Sequence, residues 1–325
     1  MKTPPEMDRI LSIIEKGDRF LITSHMDPDG DSIGSQLGLY HALKNVGKQV
    51  YVVNQGEMPA RYRFLDPDGI ISTDRQSPGF EAATVFIIEC PQLHRIGFVR
   101  ELMPDKAVTV NIDHHPDNTL YADINLVDPG SSAAGEIVFM LLEAGRIEIT
   151  SDIASQLYAA IVSDTGGFRF GSTTARAMRI ASNLVEKGAD PKRIADGIFN
   201  DYSVETIRLL GSTLAGLKLD AGGRIGYITI TQKDLEKSGA VLANSEGFVD
   251  FTLAISGIMM GILFKEVSGS EVKVSIRSQN GLDAASLARK FNGGGHENAA
   301  GFTRKGALNE VIDYVLSSAR EYVNG

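Results

Sequence analysis

The chain has 325 residues, 43% of them apolar, and a formal net charge of −9. That is enough for two domains with real cores, and the wrong sign for a protein that coats long nucleic acid with rows of lysine and arginine. One cysteine excludes a disulfide framework, no run reaches the roughly 18 apolar residues of a membrane span, and the charged start "MKTPPEMDRILSIIEKGD" lacks the core of a secretory signal. The expectation is a cytoplasmic protein without membrane partners, whose anionic ligands are small.

In chain order, the apolar run "RFLITSH" reads as a buried strand and opens into "SHMDPDGDSIG". A helix is predicted from about Ser32 to Val46, with Ile33, Leu37, Tyr40 and Leu43 at helical spacing, Gly34 and Gly38 for close packing and Ser32 as N-cap. "QVYVVNQ", "ATVFIIEC" and "AVTVNIDHH" follow as further strands, then helices from about Asp152 to Val162 and from Thr174 to Glu186. Strands alternating with helices define an α/β fold with a mainly parallel sheet flanked by helices. Residues 188–207 read as a helical connector, dividing a domain over 1–187 from one over 208–325. In the latter, "RIGYITI", "MMGILFKEV" and "KVSIRS" read as strands, the last two joined by a hairpin at "SGSE". Helices are expected at about Asn244 to Ser256, Ala284 to Phe291 and Leu308 to Tyr322.

Four of the six histidines sit in loops beside acids or glycines, His25, His114, His115 and His296, whereas His41 and His94 read as surface residues. His25 precedes Asp27, Asp29 and Asp31; "NIDHHPDN" sets Asp113 beside His114 and His115; and Asp164 ends the apolar segment of "AAIVSDTGG". Each cluster alone could be a solvated turn. Each also follows an apolar segment read as a strand of one sheet, and ligands bind at the carboxyl ends of such strands. Like charges gathered at one sheet edge destabilise the fold unless a cation joins them. Imidazoles mixed with carboxylates suit divalent ions of the manganese, cobalt or zinc type. Cys90, beside a strand-end acid, reads as buried filler rather than a thiolate ligand.

The ordered motifs "HMDPDGD", "DHH", "SDTGGFRFGSTT" and "GGGHENAAGF" resemble the DHH phosphoesterase family with its DHHA1 domain, in particular its bacterial nanoRNase A type. The resemblance implies a DHH catalytic domain, a smaller α/β DHHA1 domain and an active-site cleft between them. It implies that His25 and Asp29 bind one metal, and Asp31, His114 and Asp164 the other. The family's bridging aspartate is replaced here by Glu89, and the acid three residues further on by Gln92, whereas the arginine that follows is kept as Arg95. Asp29, Asp31, Glu89 and Asp164 then balance two divalent cations, Mn²⁺ being the expected pair. Asp27 becomes a supporting acid, Asp113 orients an imidazole, and His115 contacts the phosphoryl group. In the DHHA1 stretch, Gly293, Gly294 and Gly295 suggest a concave anion-binding nest with His296, Asn298 and Arg277 as further substrate contacts.

The implied activity is hydrolysis of very short RNA, dinucleotides included, to mononucleotides, and of 3'-phosphoadenosine 5'-phosphate to AMP. A possible homodimer is implied too. A cyclic dinucleotide phosphodiesterase is the alternative enzyme, an inorganic pyrophosphatase fits the glycine-rich stretch less well, and a nucleotide-binding protein impaired by Glu89 is the alternative of another class.

Overall fold

Runs such as "RFLIT" and "TVFII" bury almost every residue, which requires strands covered on both faces. The computed structural model describes residues 4–75, 79–279 and 281–324, except the side chains of His296 and Asn324. It divides into two compact units, Met1–Asp201 and Tyr202–Gly325.

In the first unit β1 (Arg19–Thr23), β2 (Gln49–Val53), β3 (Ile71–Ser72), β4 (Thr84–Ile88), β5 (Val108–Asp113) and β6 (Ile124–Val127) form one sheet in the order β3-β2-β1-β4-β5-β6. Every neighbouring pair is parallel. The chain order reverses between β1 and β4, the point at which the loops leaving two adjacent strands diverge and open a crevice. The helices are α1 (Pro5–Lys16), α2 (Gly30–Asn45), α3 (Val99–Leu102), α4 (Ala134–Ala144), α5 (Ser151–Asp164), α6 (Ala175–Glu186) and α7 (Pro191–Phe199). The α2 helix is buried nearly all round its first three turns. A Cβ at Gly34 would lie 2.5 Å from the Gln156 carbonyl oxygen on α5, and one at Gly135 would lie 2.6 Å from Ala160. Only glycine allows these backbones to approach so closely.

The second unit begins with α8 (Val204–Ala215). Its strands β7 (Lys218–Asp220), β8 (Ile225–Ile230), β9 (Met260–Ser268), β10 (Glu271–Ser278), β11 (Gly294–His296) and β12 (Ala299–Lys305) lie in the order β11-β12-β10-β9-β8-β7. All pairs are antiparallel except β8 with β9. Its other helices are α9 (Gln232–Ser238), α10 (Asp250–Leu253), α11 (Ala284–Arg289) and α12 (Leu308–Asn324). Val272, Val274 and Ile276 of β10 pack with α11 and α12 residues such as Leu287 and Val315 into its core.

Several expectations are corrected. The helix cap is Asp29, whose Oδ1 accepts from the Asp31 and Ser32 amides, while Ser32 at the third position completes a capping box. Asp164 ends a helix, α5, rather than a strand. The helix expected at about Asn244 to Ser256 shrinks to the single turn of α10, because Gly247 and Gly257 adopt φ of +81° and +87° on either side of it. The connector over 188–207 is shared out: α7 buries Ile194 and Ile198 in the first core, and α8 buries Leu209 in the second.

Candidate metal centre

Beyond Thr23 the chain leaves β1 through Ser24, whose amide donates to Asn54 Oδ1 at 3.0 Å, and this turns His25 inward. His25 Nε2 lies 2.7 Å from Glu89 Oε2, both side chains being buried. The Nδ1 of His25 is buried with no hydrogen-bond partner among the described residues. Burial is the main reason its ring is held at a pKa of about 4, and Arg95 and His115 add to that. A neutral buried imidazole whose Nε2 faces a buried carboxylate is a nitrogen that a metal ion could take.

Glu89 directly follows β4 and continues the ladder, its amide donating to the Ile112 carbonyl at 2.8 Å. Its φ is +51°, a left-handed conformation uncommon for a residue other than glycine, asparagine or aspartate. Burial first, then Asp29, Asp31, Asp164 and Asp113, push its carboxyl well above the usual range.

Asp31 lies in the first turn of α2 with no exposed surface. Its Oδ2 accepts from the Ala134 amide at 2.6 Å, and its Oδ1 from the Gly135 amide at 3.0 Å and the Ser35 hydroxyl at 2.8 Å. The first turn of α4 thus holds the carboxylate with its own unserved amides. Burial raises Asp31 to about 6, with Asp29 adding to the rise and His114 and the two amides opposing it.

At the end of β5 the adjacent histidines are fixed from different sides. His114 Nδ1 lies 3.2 Å from the Ser131 carbonyl, which can only accept, so Nδ1 carries the proton and Nε2 is turned to the acids. That Nε2 is 3.2 Å from Asp164 Oδ2 and 3.7 Å from Asp31 Oδ2. Burial disfavours a charged ring, yet Asp164 and Asp31 outweigh it and raise the His114 pKa. His115 Nδ1 meets Asp113 Oδ1 at 2.8 Å, and its Nε2 is 3.8 Å from Glu89 Oε1. Burial works against ionised Asp113, but His115, Asn118 and His114 prevail and hold it below the usual carboxylate range. Asp164 is pushed well above that range by burial, then by Asp31 and Asp29, with His114 opposing.

The side chains form three linked triplets: His25, Asp29 and Glu89; Glu89, His114 and His115; Asp31, His114 and Asp164. Within each, the offered nitrogen and oxygen atoms lie within 4.8 Å of one another. Glu89 and His114 each belong to two triplets. Raised carboxyls facing one another beside imidazoles are the residue set a divalent cation relieves, so these residues fit such ions. Asp27 is exposed and joins no triplet. Cys90 is fully buried, donates to the Gln92 carbonyl and is pushed by burial to about 11, far from a thiolate. His94 is exposed and His41 half-buried.

Sequence reasoning missed a clasp behind the site. Arg176 of α6 donates from Nε to Glu136 Oε2 at 3.0 Å and from Nη2 to Asp128 Oδ2 and Ser131 Oγ, both at 2.8 Å. Glu136 is fully buried and accepts the Ser132 amide. This network fixes the loop that supplies the Ser131 carbonyl and the start of α4. The available signal was one acid at the head of the apolar run "EIVFMLLEA".

In the second unit Arg277 donates to Asp250 at 2.9 Å. The glycine run is an edge strand rather than the expected nest. The Gly293 amide is taken by the Ala288 carbonyl, and Gly294 to His296 pair with Gly301 to Ala299. A Cβ at Gly295, where φ is +137°, would stand 2.4 Å from the Ala299 carbonyl. Asn298 is exposed, and the expected contact from the His296 side chain lies outside the described residues.

A parallel sheet with imidazoles and carboxylates converging at its switch point defines an α/β protein whose side chains could hold divalent cations. Residues 19–161 match the DHH family, N-terminal domain, and residues 233–325 the DHHA1 domain. The chain is 34% identical over 304 residues to the bifunctional oligoribonuclease and PAP phosphatase NrnA of Thermus thermophilus, spanning 92% of this chain and 89% of that one. It is 28% identical over 306 residues to the protein so named in Bacillus subtilis, spanning 93% and 92%. The crystal structure of an exopolyphosphatase-related protein from Bacteroides fragilis matches with a TM-score of 0.92 at 28% identity, over 98% of both chains. The chain therefore belongs to the DHH family and carries a DHHA1 domain. No helix among the described residues is long and apolar enough to cross a membrane.

Proposed function

We propose that the chain is a manganese-dependent phosphoesterase that hydrolyses very short oligoribonucleotides, dinucleotides included, to mononucleotides. The same site would remove the 3'-phosphate of 3'-phosphoadenosine 5'-phosphate. The observation that carries this reading is the linked set of triplets, in which one buried carboxylate, Glu89, serves two neighbouring groups. The names of the Thermus and Bacillus relatives, which span nearly the whole chain, carry both activities.

In this reading His25 and Asp29 would hold one ion and Asp31, His114 and Asp164 the other, with Glu89 shared between the two groups. The imidazole and carboxylate mixture favours Mn²⁺ over Mg²⁺. Bound ions supply positive charge to the reacting phosphoryl group and activate water. His115, its Nδ1 fixed by Asp113, presents Nε2 on the Glu89 side and would contact the phosphoryl group as the candidate proton donor to the leaving oxygen. Arg277, the strand of Gly293, Gly294 and Gly295, Asn298 and His296 form the substrate grip of the second unit.

The test is turnover of a 5'-labelled dinucleotide and of 3'-phosphoadenosine 5'-phosphate with Mn²⁺. Activity abolished by chelation and by Asp31→Ala is expected. Replacing His115 with alanine should reduce kcat while leaving two ions bound per chain. Tight dinucleotide binding without turnover, restored by Glu89→Asp, would make the chain a nucleotide-binding protein. Faster turnover of cyclic than of linear dinucleotides would move it to the cyclic substrates.

A further inference from the structure

The sheet of the second unit sends alternate residues of β10 to opposite faces: Val272, Val274 and Ile276 enter the core, so Lys273, Ser275 and Arg277 line the other side. Ile262 and Phe264 of β9 likewise enter the core and leave Lys265 on that second face. The register sets Lys265 directly opposite Lys273, with Thr303 of β12 on the far side of Lys273. Two rows away Arg277 stands between Gly261 and Ala299, and the row between them is Leu263, Ser275, Gly301 and Gly294. The β10, β12 and β11 part of this face is therefore a floor of small residues with cations at both ends. Added side-chain atoms at Gly294 would meet nothing within 4 Å.

Like charges placed opposite one another on paired strands are destabilising. Arg277 has Asp250 to answer it, whereas among the described residues Lys265 and Lys273 form no ion pair. Burial first, then Lys273, lower the half-buried Lys265 ammonium to about 8, with Arg277 adding to the effect and Glu246 opposing it. A local rule broken in this way, with Glu246 offsetting it only in part at Lys265, marks a place where a ligand supplies the rest.

We propose that Lys265 and Lys273 form a second phosphate-binding subsite, engaged by substrates longer than a dinucleotide. The inference rests on the reading of the chain as a hydrolase of short oligoribonucleotides. Four residues of strand separate Lys273 from Arg277, about 13 Å at the rise of a β-strand. A stacked nucleic-acid strand advances only about 3.4 Å per phosphate. A dinucleotide is held at the Arg277 end alone, and a chain of four or five nucleotides reaches both ends.

The test uses the full chain without metal and reads fluorescence anisotropy of a labelled dinucleotide and a labelled pentanucleotide RNA. The double variant Lys265→Met with Lys273→Met should bind the pentanucleotide at least tenfold more weakly and the dinucleotide within twofold of the original chain. The slope of log affinity against log salt should fall by about 0.7 for one phosphate no longer neutralised. Lys265→Arg with Lys273→Arg should keep pentanucleotide binding, which separates charge from packing. Equal weakening for both lengths, or none for either, would overturn the subsite. Absence of Mn²⁺-dependent turnover in the unaltered chain would instead remove the hydrolase reading and leave the anisotropy comparison to decide the subsite.

Discussion

Glu89 concentrates the conflicts of the site. It is buried, left-handed in backbone, surrounded by acids and 2.7 Å from His25. Glu89→Gln keeps the shape and removes the charge, so it should act in opposite directions with and without metal. The metal-free variant should melt higher than the parent, by about 2–4 °C per kcal/mol gained. Its affinity for Mn²⁺ should fall at least about 10–100-fold. Thermal melts with and without Mn²⁺ read both effects.

The pH dependence of the metal-free fold follows from the same residues. Asp31 is raised to about 6, and Glu89 and Asp164 well above their ordinary range. Groups raised in this way stabilise the fold below their ordinary values and lose that contribution as pH rises through the shifted ones. His25, lowered from 6.5 to about 4, gives the opposite slope between those two values and none above them. Once His25 has titrated, the metal-free melting temperature should therefore fall as pH rises through the shifted values of these carboxyls, with the raised His114 adding to the fall, and Glu89→Gln should flatten it. Saturating Mn²⁺ should reverse it, because ligands must lose protons to bind. An unchanged slope in the variant would refute the assignment of a raised carboxyl to Glu89.

Among the elements, the start of α4 and the loop before it hold both Asp31 and His114, and Arg176 ties that loop down. Arg176→Met should loosen the Ser131 carbonyl and weaken only the ion proposed at Asp31, His114 and Asp164, by about 10–100-fold. A Mn²⁺ titration followed by electron paramagnetic resonance should show one tight and one weak site. Arg176→Lys should restore little, since an ammonium cannot reproduce the forked contacts of a guanidinium. Equal loss at both sites would mean a general structural role. Sequence reading missed this element because α4 is buried on nearly all sides and shows no helical stripe, while "DPGSSAAG" reads only as a turn. The opposite error occurred at Asn244 to Ser256, where apolar spacing suggests a helix and two left-handed glycines break it. Asp29 is both a ligand candidate and, through the capping box written in "DGDS", the cap of α2.

At the scale of the whole molecule, net charge and domain order were the most readable features. Four motifs in order matched the family and the two sheets, because strand-end loops stay attached to strands whose apolar runs are unmistakable. Pairings such as Ser131 with His114 depend on loops that no periodicity announces. The net charge of −9 carries its own expectation. An RNA of 24 nucleotides should be hydrolysed with a kcat/KM at least about 100-fold below that of a dinucleotide, since the cations that would follow a long strand are few. Comparable values for both lengths would contradict the small-substrate reading.

The proposed ligands span His25 to Asp164, all within the first unit, and the crossing from β1 to β4 separates two of them by 64 residues. During synthesis the ion proposed at Asp31, His114 and Asp164 cannot be held until Asp164 has left the ribosome and the long-range strand pairing is made. At about 5–20 residues per second, elongation through Tyr202–Gly325 takes roughly 6–25 s. The proposed metal centre can therefore assemble on a nascent chain before the proposed substrate grip of the second unit exists.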